Sequence, residues 1–208
     1  MTEEPGIQRL AEAIERHRFG TTATPSNTRR AELRRRETVL AGYHQARLLV
    51  LFDAIAGRNG SVRGLTKIAK LDFLLRYPSF LEQLLLAIHK DDLAERVKPT
   101  DDERKAVESR MVRYKYGPWD DRYYSIIGGL VGRGLAEYVD STEVLTIRLT
   151  AGGRAVASSL ITDPAWVPVA ERAAIIKEAF GRMTGNGIKE LIYAHLPGVV
   201  DRPHRMEI

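Results

Sequence analysis

Between residues 116 and 160 the spacing of apolar side chains changes from a helical period to a strand period and back again. In the first part an apolar residue recurs at every third or fourth position, which predicts a helix with one buried face. These residues are Tyr123, Ile126, Ile127, Leu130 and Val131. Asp120 is a candidate N-cap for this helix, and Gly134 stands where helices often end in the left-handed conformation. The segment therefore opens with one short helix whose start and end are both marked.

The second part of this segment is predicted to be a pair of short antiparallel strands. Three apolar residues alternate with polar ones and predict a strand with one buried face. They are Leu145, Ile147 and Leu149. Tyr138 and Val139 supply the opposing strand, residues 140–143 form the turn, and Thr150 can cap a following helix. A helix, a hairpin and a second helix in this order are typical of the second half of a winged helix-turn-helix.

The residues before this segment supply further helices. A long helix is predicted from about Thr28 to Ala56, and the break at residues 57–60 ends it. The sequence LTKIAKLDFLLRYP, at residues 65–78, has apolar residues at helical spacing and is interpreted as the second helix of a helix-turn-helix. Because residues 79–122 separate it from the third helix, the domain is either elaborated by an insertion or split.

The predicted fold is therefore mainly α: a winged helix-turn-helix domain with a small antiparallel β-hairpin, elaborated by extra helices. Residues 1–28 are assigned to an N-terminal helix and linker, residues 29–162 to the elaborated winged-helix domain, and residues 163–208 to a C-terminal helical extension. Within the extension an amphipathic helix is predicted over residues 171–182. The glycines in residues 185–187 are predicted to interrupt it before a short last helix.

The amino-acid composition indicates the cellular location and the class of partner. The 208 residues include no cysteine, which excludes disulfides and thiol chemistry and favours a cytoplasmic location. The longest apolar runs are far too short to span a bilayer, so no membrane partner is expected. The formal net charge of +5 favours a polyanionic partner.

Five arginines cluster within eight residues near the start of the long helix. They are Arg29, Arg30, Arg34, Arg35 and Arg36. We interpret them as candidate phosphate or partner contacts, because each cation that meets a phosphate adds to a salt-dependent affinity. The alternative is a solvated helix end, and Glu32 is also placed to pair with Arg36 four residues later.

Six further basic residues lie on or beside the predicted third helix and wing, where a winged helix meets phosphates and base edges. They are Arg113, Lys115, Arg122, Arg133, Arg148 and Arg154. We interpret them as candidate nucleic-acid contacts, and the expected partner is double-stranded DNA bound without sequence preference. The alternative is that these side chains are solvated or paired with carboxylates, as surface arginines commonly are.

The sequence carries no pattern typical of an enzyme. The histidines are scattered, no zinc-ligand spacing or GxSxG motif occurs, and there is no cysteine nucleophile. The glycine-rich residues 128–134 lie inside the predicted helix and lack the GK[ST] of a phosphate loop, so their glycines are expected to allow close helix approach. Asp72 interrupts an apolar helix and is expected to pair with Arg76. We therefore expect no catalysis, no cofactor and no bound metal.

Three stretches resemble one kind of small bacterial protein. They are LTKIAKLDFLLRYP, RYKYGPWDDRYYSIIGGLVGRGLAEY and IKELIYAHLP, and the resemblance covers about Ala41 to Pro197. The proteins that these stretches resemble are the winged-helix middle components that are encoded beside ABC- or SMC-like ATPases in three-component defence systems. The YGP also resembles part of the Panacea antitoxin domain, in which a KLLYF-like helix precedes a YGP. KLDFLLRYP stands in place of that helix here, so this second match is partial.

The resemblance to middle components implies a non-catalytic accessory subunit that contacts an SMC- or ABC-like ATPase and DNA in anti-phage or anti-plasmid defence. A homodimer is expected, because winged helices with extra helices on both sides commonly dimerise through them. Two alternatives remain open. One is a stand-alone transcriptional regulator that binds DNA through its third helix, and the other is an antitoxin-like protein that neutralises a partner by direct contact.

Overall fold

The computed structural model describes residues 28–56, 60–105, 112–114, 117–139 and 144–196 of the chain. Within these ranges the protein is mainly helical, with a three-stranded antiparallel sheet and a separate two-stranded one. None of the helices described there is both long enough and apolar enough to cross a bilayer. The predicted N-terminal helix and linker, the hairpin turn and Lys115 lie outside the described residues.

Most of the helices and strands that the sequence predicts are present. The helices are α1 (Thr28–Ile55), α2 (Leu65–Arg76), α3 (Pro78–Ala87), α4 (Asp91–Val97), α5 (Asp101–Lys105), α6 (Tyr123–Gly132), α7 (Ala151–Thr162), α8 (Val167–Phe180) and α9 (Gly185–His195). The strands are β1 (Ser61–Arg63), β2 (Val112–Tyr114), β3 (Gly117–Trp119), β4 (Ala136–Val139) and β5 (Thr146–Leu149). The predicted long first helix is confirmed as α1, and the predicted helix, hairpin and helix are confirmed as α6, β4–β5 and α7.

The three-stranded sheet has the order β1–β5–β4, so the last strand in sequence lies in the middle. Ile147 of β5 lies opposite Val62 of β1 and Tyr138 of β4. Ile147 and Val62 are buried whereas Arg148 is exposed, as the predicted alternation requires; Thr146 departs from it because its side chain is buried as well. The sequence does not predict β1, because three residues hold too little alternation to indicate a strand.

Local chemistry fixes the turns around this sheet. Gly134 follows α6 with a φ of 69°, in the left-handed region where a Cβ is strained. The hydroxyl oxygen of Thr150 caps α7 by accepting the backbone N–H of Gly153 at 3.0 Å. The Gly153 backbone also packs against the carbonyl group of Leu135, which leaves no room for a Cβ. The predicted roles of Gly134 and Thr150 are confirmed.

Two local predictions are wrong. Asp120 does not cap α6: the residue that precedes the helix is Arg122, no side chain caps it, and the Asp120 carboxylate binds arginines instead. Residues 185–187 do not form the break between two helices. They form the first turn of α9, where the Thr184 hydroxyl oxygen accepts the N–H of Gly187 at 3.1 Å. In both places a specific hydrogen bond outweighs the residue's usual local preference.

Helix α2 lies in the centre of the protein. Every residue from 68 to 76 is buried, and α1, α8 and α9 pack against the helix. One hydrophobic cluster includes Leu48 of α1, Phe180 of α8 and Ile192 of α9. The helices that the sequence assigns to a C-terminal extension therefore share a core with those before them.

The buried position of Ile147 makes it a test of the sheet. Replacing Ile147 with Asp puts an unpaired carboxylate where the side chain is 1% exposed. We expect the free energy of unfolding to fall by at least about 3 kcal/mol, as for other buried unpaired charges. Urea unfolding followed by circular dichroism measures it.

The matched control is Arg148→Thr at the next position of the same strand, where the side chain faces solvent. It removes one exposed ion pair and should cost no more than about 1 kcal/mol. If the Asp variant is as stable as this control, the two faces of β5 are assigned the wrong way round.

Candidate nucleic-acid interface

Two ion pairs inside the protein position the start of α6. The first joins α1 to α2, because Arg47 donates from Nε to Asp72 Oδ1 at 2.7 Å and from Nη2 to Asp72 Oδ2 at 3.0 Å. Tyr123, the first residue of α6, donates its hydroxyl to the same carboxylate at 2.8 Å. All three side chains are buried. One carboxylate therefore connects three helices.

Asp72 stays ionised in this position. Burial alone would raise its pKa, but the charge of Arg47 and the hydrogen bonds from Arg47 and Tyr123 outweigh burial and hold the pKa below its usual value. Burial and the neighbouring carboxylate raise the pKa of Tyr123 well above its usual value, so its hydroxyl remains a donor. Asp72 forms its ion pair with Arg47, whereas the predicted partner Arg76 pairs with Asp120 and lowers the Asp72 pKa through its charge.

The second ion pair lies directly before α6 and reaches the surface. Asp120 is buried, and its Oδ2 accepts a hydrogen bond from Arg76 Nη1 at 3.0 Å. Arg122 donates to the same carboxylate from Nε at 2.9 Å and from Nη2 at 2.7 Å, while 44% of its side chain remains exposed. Burial would raise the pKa of Asp120, but the hydrogen bonds and charge of Arg122, with the charge of Arg76, lower it to about 2.

His44 extends the first ion pair on the side of α1. Its Nδ1 accepts a hydrogen bond from Arg47 Nη1 at 2.7 Å, and because a guanidinium only donates, the ring proton is on Nε2. Nε2 is buried and has no hydrogen-bond partner among the described residues. Burial is the main reason that the pKa of His44 falls to about 3, and the charges of Arg47, Arg122 and Arg76 lower it further. Folding therefore requires a neutral imidazole.

The middle of α6 also packs closely on α1. A Cβ on Gly129 would collide with the side chain of Gln45, so the expected close helix approach is confirmed at this glycine. Gly128 and Gly132 are exposed, and a Cβ at either position would meet nothing within 4 Å in the described structure. In the glycine-rich sequence, Gly129 therefore makes a buried contact, whereas Gly128 and Gly132 lie on an open face.

The open face of α6 is uncharged. Its exposed residues are Tyr124, Ser125, Gly128 and Gly132, and Tyr124 is 66% exposed. The predicted contacts Arg122 and Arg133 lie immediately before and after the helix, about 16–17 Å apart along the axis at the rise of an α-helix. Arginine, lysine, asparagine and glutamine, which make the bidentate contacts to base edges in a major groove, are therefore absent from this face of α6.

The β4–β5 hairpin and the helix that follows it place two predicted contacts on the surface. Arg148 of β5 is exposed and its Nε donates to Glu137 Oε1 of β4 at 2.8 Å. Arg154, in the first turns of α7, is exposed and its Nη1 donates to the carbonyl oxygen of Leu149 at 2.8 Å. Both guanidinium groups are oriented by the fold while they still face solvent.

The remaining basic residues fall on different elements. Arg113 lies in β2, opposite Pro118 of β3, and its side chain, like Lys115, is outside the described part. The five clustered arginines lie in the first half of α1, where the structure describes the backbone as helical and gives no account of side chains. Arg63, which the sequence does not single out, is exposed at the end of β1. The only feature of the sequence that indicates β1 is one apolar residue between two polar ones.

Comparison of the chain with protein-family models, curated proteins and solved structures finds no match. Within the ranges that the structure describes, no three His, Cys, Asp or Glu side chains come together as a group that could hold a metal ion.

The buried neutral His44 makes stability depend on pH. Its folded pKa of about 3 lies below the unfolded value of 6.5, so the unfolded chain binds the proton more readily between these values. The contribution of neutral His44 to the free energy of unfolding is therefore fully present above pH 6.5 and is lost as the pH falls. We expect the free energy of unfolding to drop by about 2 kcal/mol between pH 7.5 and pH 5, and urea unfolding at each pH measures it.

His44→Asn keeps an acceptor for Arg47 and removes the titrating ring, so this variant should lose most of the pH dependence above pH 5. The control is His89→Asn, at an exposed position with a φ of 56° that asparagine tolerates. A wild-type slope in the His44 variant would show that another group produces the dependence.

The pair of Arg47 and Asp72 is tested by removing one charge and then both. Asp72→Asn leaves Arg47 buried without a counter-charge, and we expect the free energy of unfolding to fall by about 3–5 kcal/mol. Arg47→Met/Asp72→Leu removes both charges and should be more stable than the single variant, as measured by urea unfolding at pH 7.5. A double variant less stable than Asp72→Asn would mean that the hydrogen bonds of His44 and Tyr123 dominate.

Proposed function

We propose that the chain is a non-catalytic winged-helix protein that holds double-stranded DNA as an accessory subunit of an SMC- or ABC-like ATPase complex in bacterial defence. The observation that supports the winged helix is the strand order. In that fold a strand between the first two helices pairs with the second strand of the hairpin after the third helix. Here β1 lies between α1 and α2 and pairs with β5, the second strand of the hairpin after α6.

In this interpretation α1, α2 and α6 are the three helices and β4–β5 is the wing. The residues between α2 and α6 then form an insertion that contains α3, α4, α5 and the β2–β3 ladder. Leu81 of α3 and Leu93 of α4 belong to the same hydrophobic cluster as α2 and α6. A shared core favours an elaborated domain over a split one.

The distribution of charge favours contact with the DNA backbone. Arg122, Arg148 and Arg154 are exposed cations, whereas the outer face of α6 offers only tyrosine, serine and glycine. Contacts to phosphates position a protein on DNA but carry no sequence information. Binding without sequence preference fits this surface better than the recognition of a specific operator by a transcriptional regulator.

The ATPase partner and a homodimer rest on the resemblance to middle components, and exposed apolar side chains suit such contacts. Three apolar side chains are exposed on α1, α7 and α8, which pack against one another. They are Leu40 at 55%, Ile161 at 39% and Val167 at 36%. We propose that these helices make the protein contacts and that the complex works in the cytoplasm.

A second candidate function is an antitoxin-like protein that binds and neutralises a partner. It is favoured by the same neutral face of α6, where Tyr124 is 66% exposed. Tyrosine is enriched in protein interfaces because it buries a large rigid area and keeps a polar end. Under this alternative α6 contacts protein and the arginines serve solubility.

Fluorescence anisotropy of the full chain on a duplex of random sequence, titrated with salt, tests the proposal. We expect binding that weakens steeply as salt rises and that does not depend on sequence. Arg122→Gln should weaken binding and reduce the log–log salt slope by about 0.9, because one phosphate contact is lost. Asp120 keeps Arg76 as its partner in this variant, so the fold should be retained.

The matched control is Arg104→Gln, because Arg104 is 47% exposed and paired with Glu82, much as Arg122 is with Asp120. Its salt slope should equal that of the wild type. No duplex binding at low salt would overturn the DNA-holding function and favour the antitoxin-like one, in which the product of a neighbouring gene is captured instead.

A further inference from the structure

The solvent-facing side of the three-stranded sheet brings together arginines that are distant in sequence. The register places Ser61 opposite Arg148 and Arg63 opposite Thr146. Side chains two residues apart along a strand share a face, so Arg63 and Arg148 lie on the same side as diagonal neighbours. Such neighbours are about 7–8 Å apart, within reach of one another's guanidinium groups.

Arg154 brings a third guanidinium to the edge of this face. Its Nη1 lies 3.5 Å from the position that a Cβ would take on Gly60, the residue before Ser61. The same nitrogen is anchored to the carbonyl oxygen of Leu149, and the Leu149 N–H bonds the carbonyl of Gly60. Arg154 is therefore held where β1 begins and β5 ends. We call Arg63, Arg148 and Arg154 the arginine face.

Among the residues that the structure describes, the arginine face carries more positive charge than the nearby carboxylates neutralise. Glu137 is its one ion-pair partner among the described residues, and both Glu137 and Arg148 are nearly half exposed. Exposed pairs of this kind are weak, so an incoming anion can replace the carboxylate. No carboxylate of the described residues lies within salt-bridge distance of Arg63, which is exposed. The net charge therefore attracts anions.

We infer that the arginine face binds the phosphate backbone of duplex DNA and that Arg63 is one of its contact residues. This inference rests on the DNA-holding function proposed above and specifies the surface that performs it. Guanidinium groups present forked donors that match phosphate oxygens. DNA lies across β1 and β5 rather than along α6, whose exposed face has no cation.

The experiment compares salt slopes of duplex binding for the full-length wild type, Arg63→Gln and Arg63→Lys. We expect Arg63→Gln to bind more weakly at low salt and to reduce the log–log slope by about 0.9. Arg63→Lys keeps the charge and should restore the wild-type slope. Arg63→Gln/Arg148→Gln should reduce the slope by about 1.8, since two contacts are lost.

Arg96→Gln is the control, because Arg96 is exposed on α4 and paired with Glu178 of α8, elements that form no part of the sheet. If the wild type binds duplex and Arg63→Gln keeps its slope, the arginine face is not the contact surface, although the DNA-holding function stands. If the wild type does not bind duplex at all, both are overturned. Loss of binding in Arg96→Gln to the same extent as in Arg63→Gln would show a general charge effect and would also overturn the arginine face.

Discussion

The carboxylate of Asp72 is the contact on which the position of α6 depends. It lies in the most deeply buried helix and binds Arg47 of α1 and Tyr123 of α6 at once. A buried charge is tolerated only when it is paired and hydrogen-bonded, so few arrangements of these three helices satisfy it. Apolar packing alone has less directional preference and accommodates small rotations of a helix by repacking. The ion pair therefore defines which face of α6 points outward, and with it the chemistry of that surface.

Two kinds of surface result from this arrangement. The outward face of α6 is neutral and nearly flat, with Tyr124 as its largest side chain, whereas the sheet beside it carries arginines held by backbone and carboxylate contacts. Under the winged-helix proposal, base recognition would usually fall to the third helix and backbone contact to the wing. The charges of this surface favour the second role, because the exposed face of α6 carries no cation.

The sequence predicts α1, α2, α6, the hairpin and α7, because each shows a clear hydrophobic period or a capping residue. It does not identify the partner of Asp72, since a helical i,i+4 spacing suggests Arg76 while the arginine that binds lies 25 residues earlier. Long-range pairing depends on how helices cross, which single-sequence periodicity does not contain. Arg63 is missed for a related reason: its importance comes from cross-strand neighbours in a strand too short to recognise. The arginines on and directly after the hairpin could be predicted from the sequence, because the hairpin itself could be predicted.

The shared carboxylate of Asp120 has a consequence for reversible binding. Arg76 neutralises it from inside while Arg122 covers it from outside. If a ligand draws Arg122 away, the buried carboxylate keeps a counter-charge and the interior is not left with an unbalanced ion. The Arg122 guanidinium can therefore bind an anion of a partner and return to Asp120 on release, with little change in the folding free energy of the protein. Arg47 has no such freedom, because its departure would leave Asp72 with a phenol and a more distant charge.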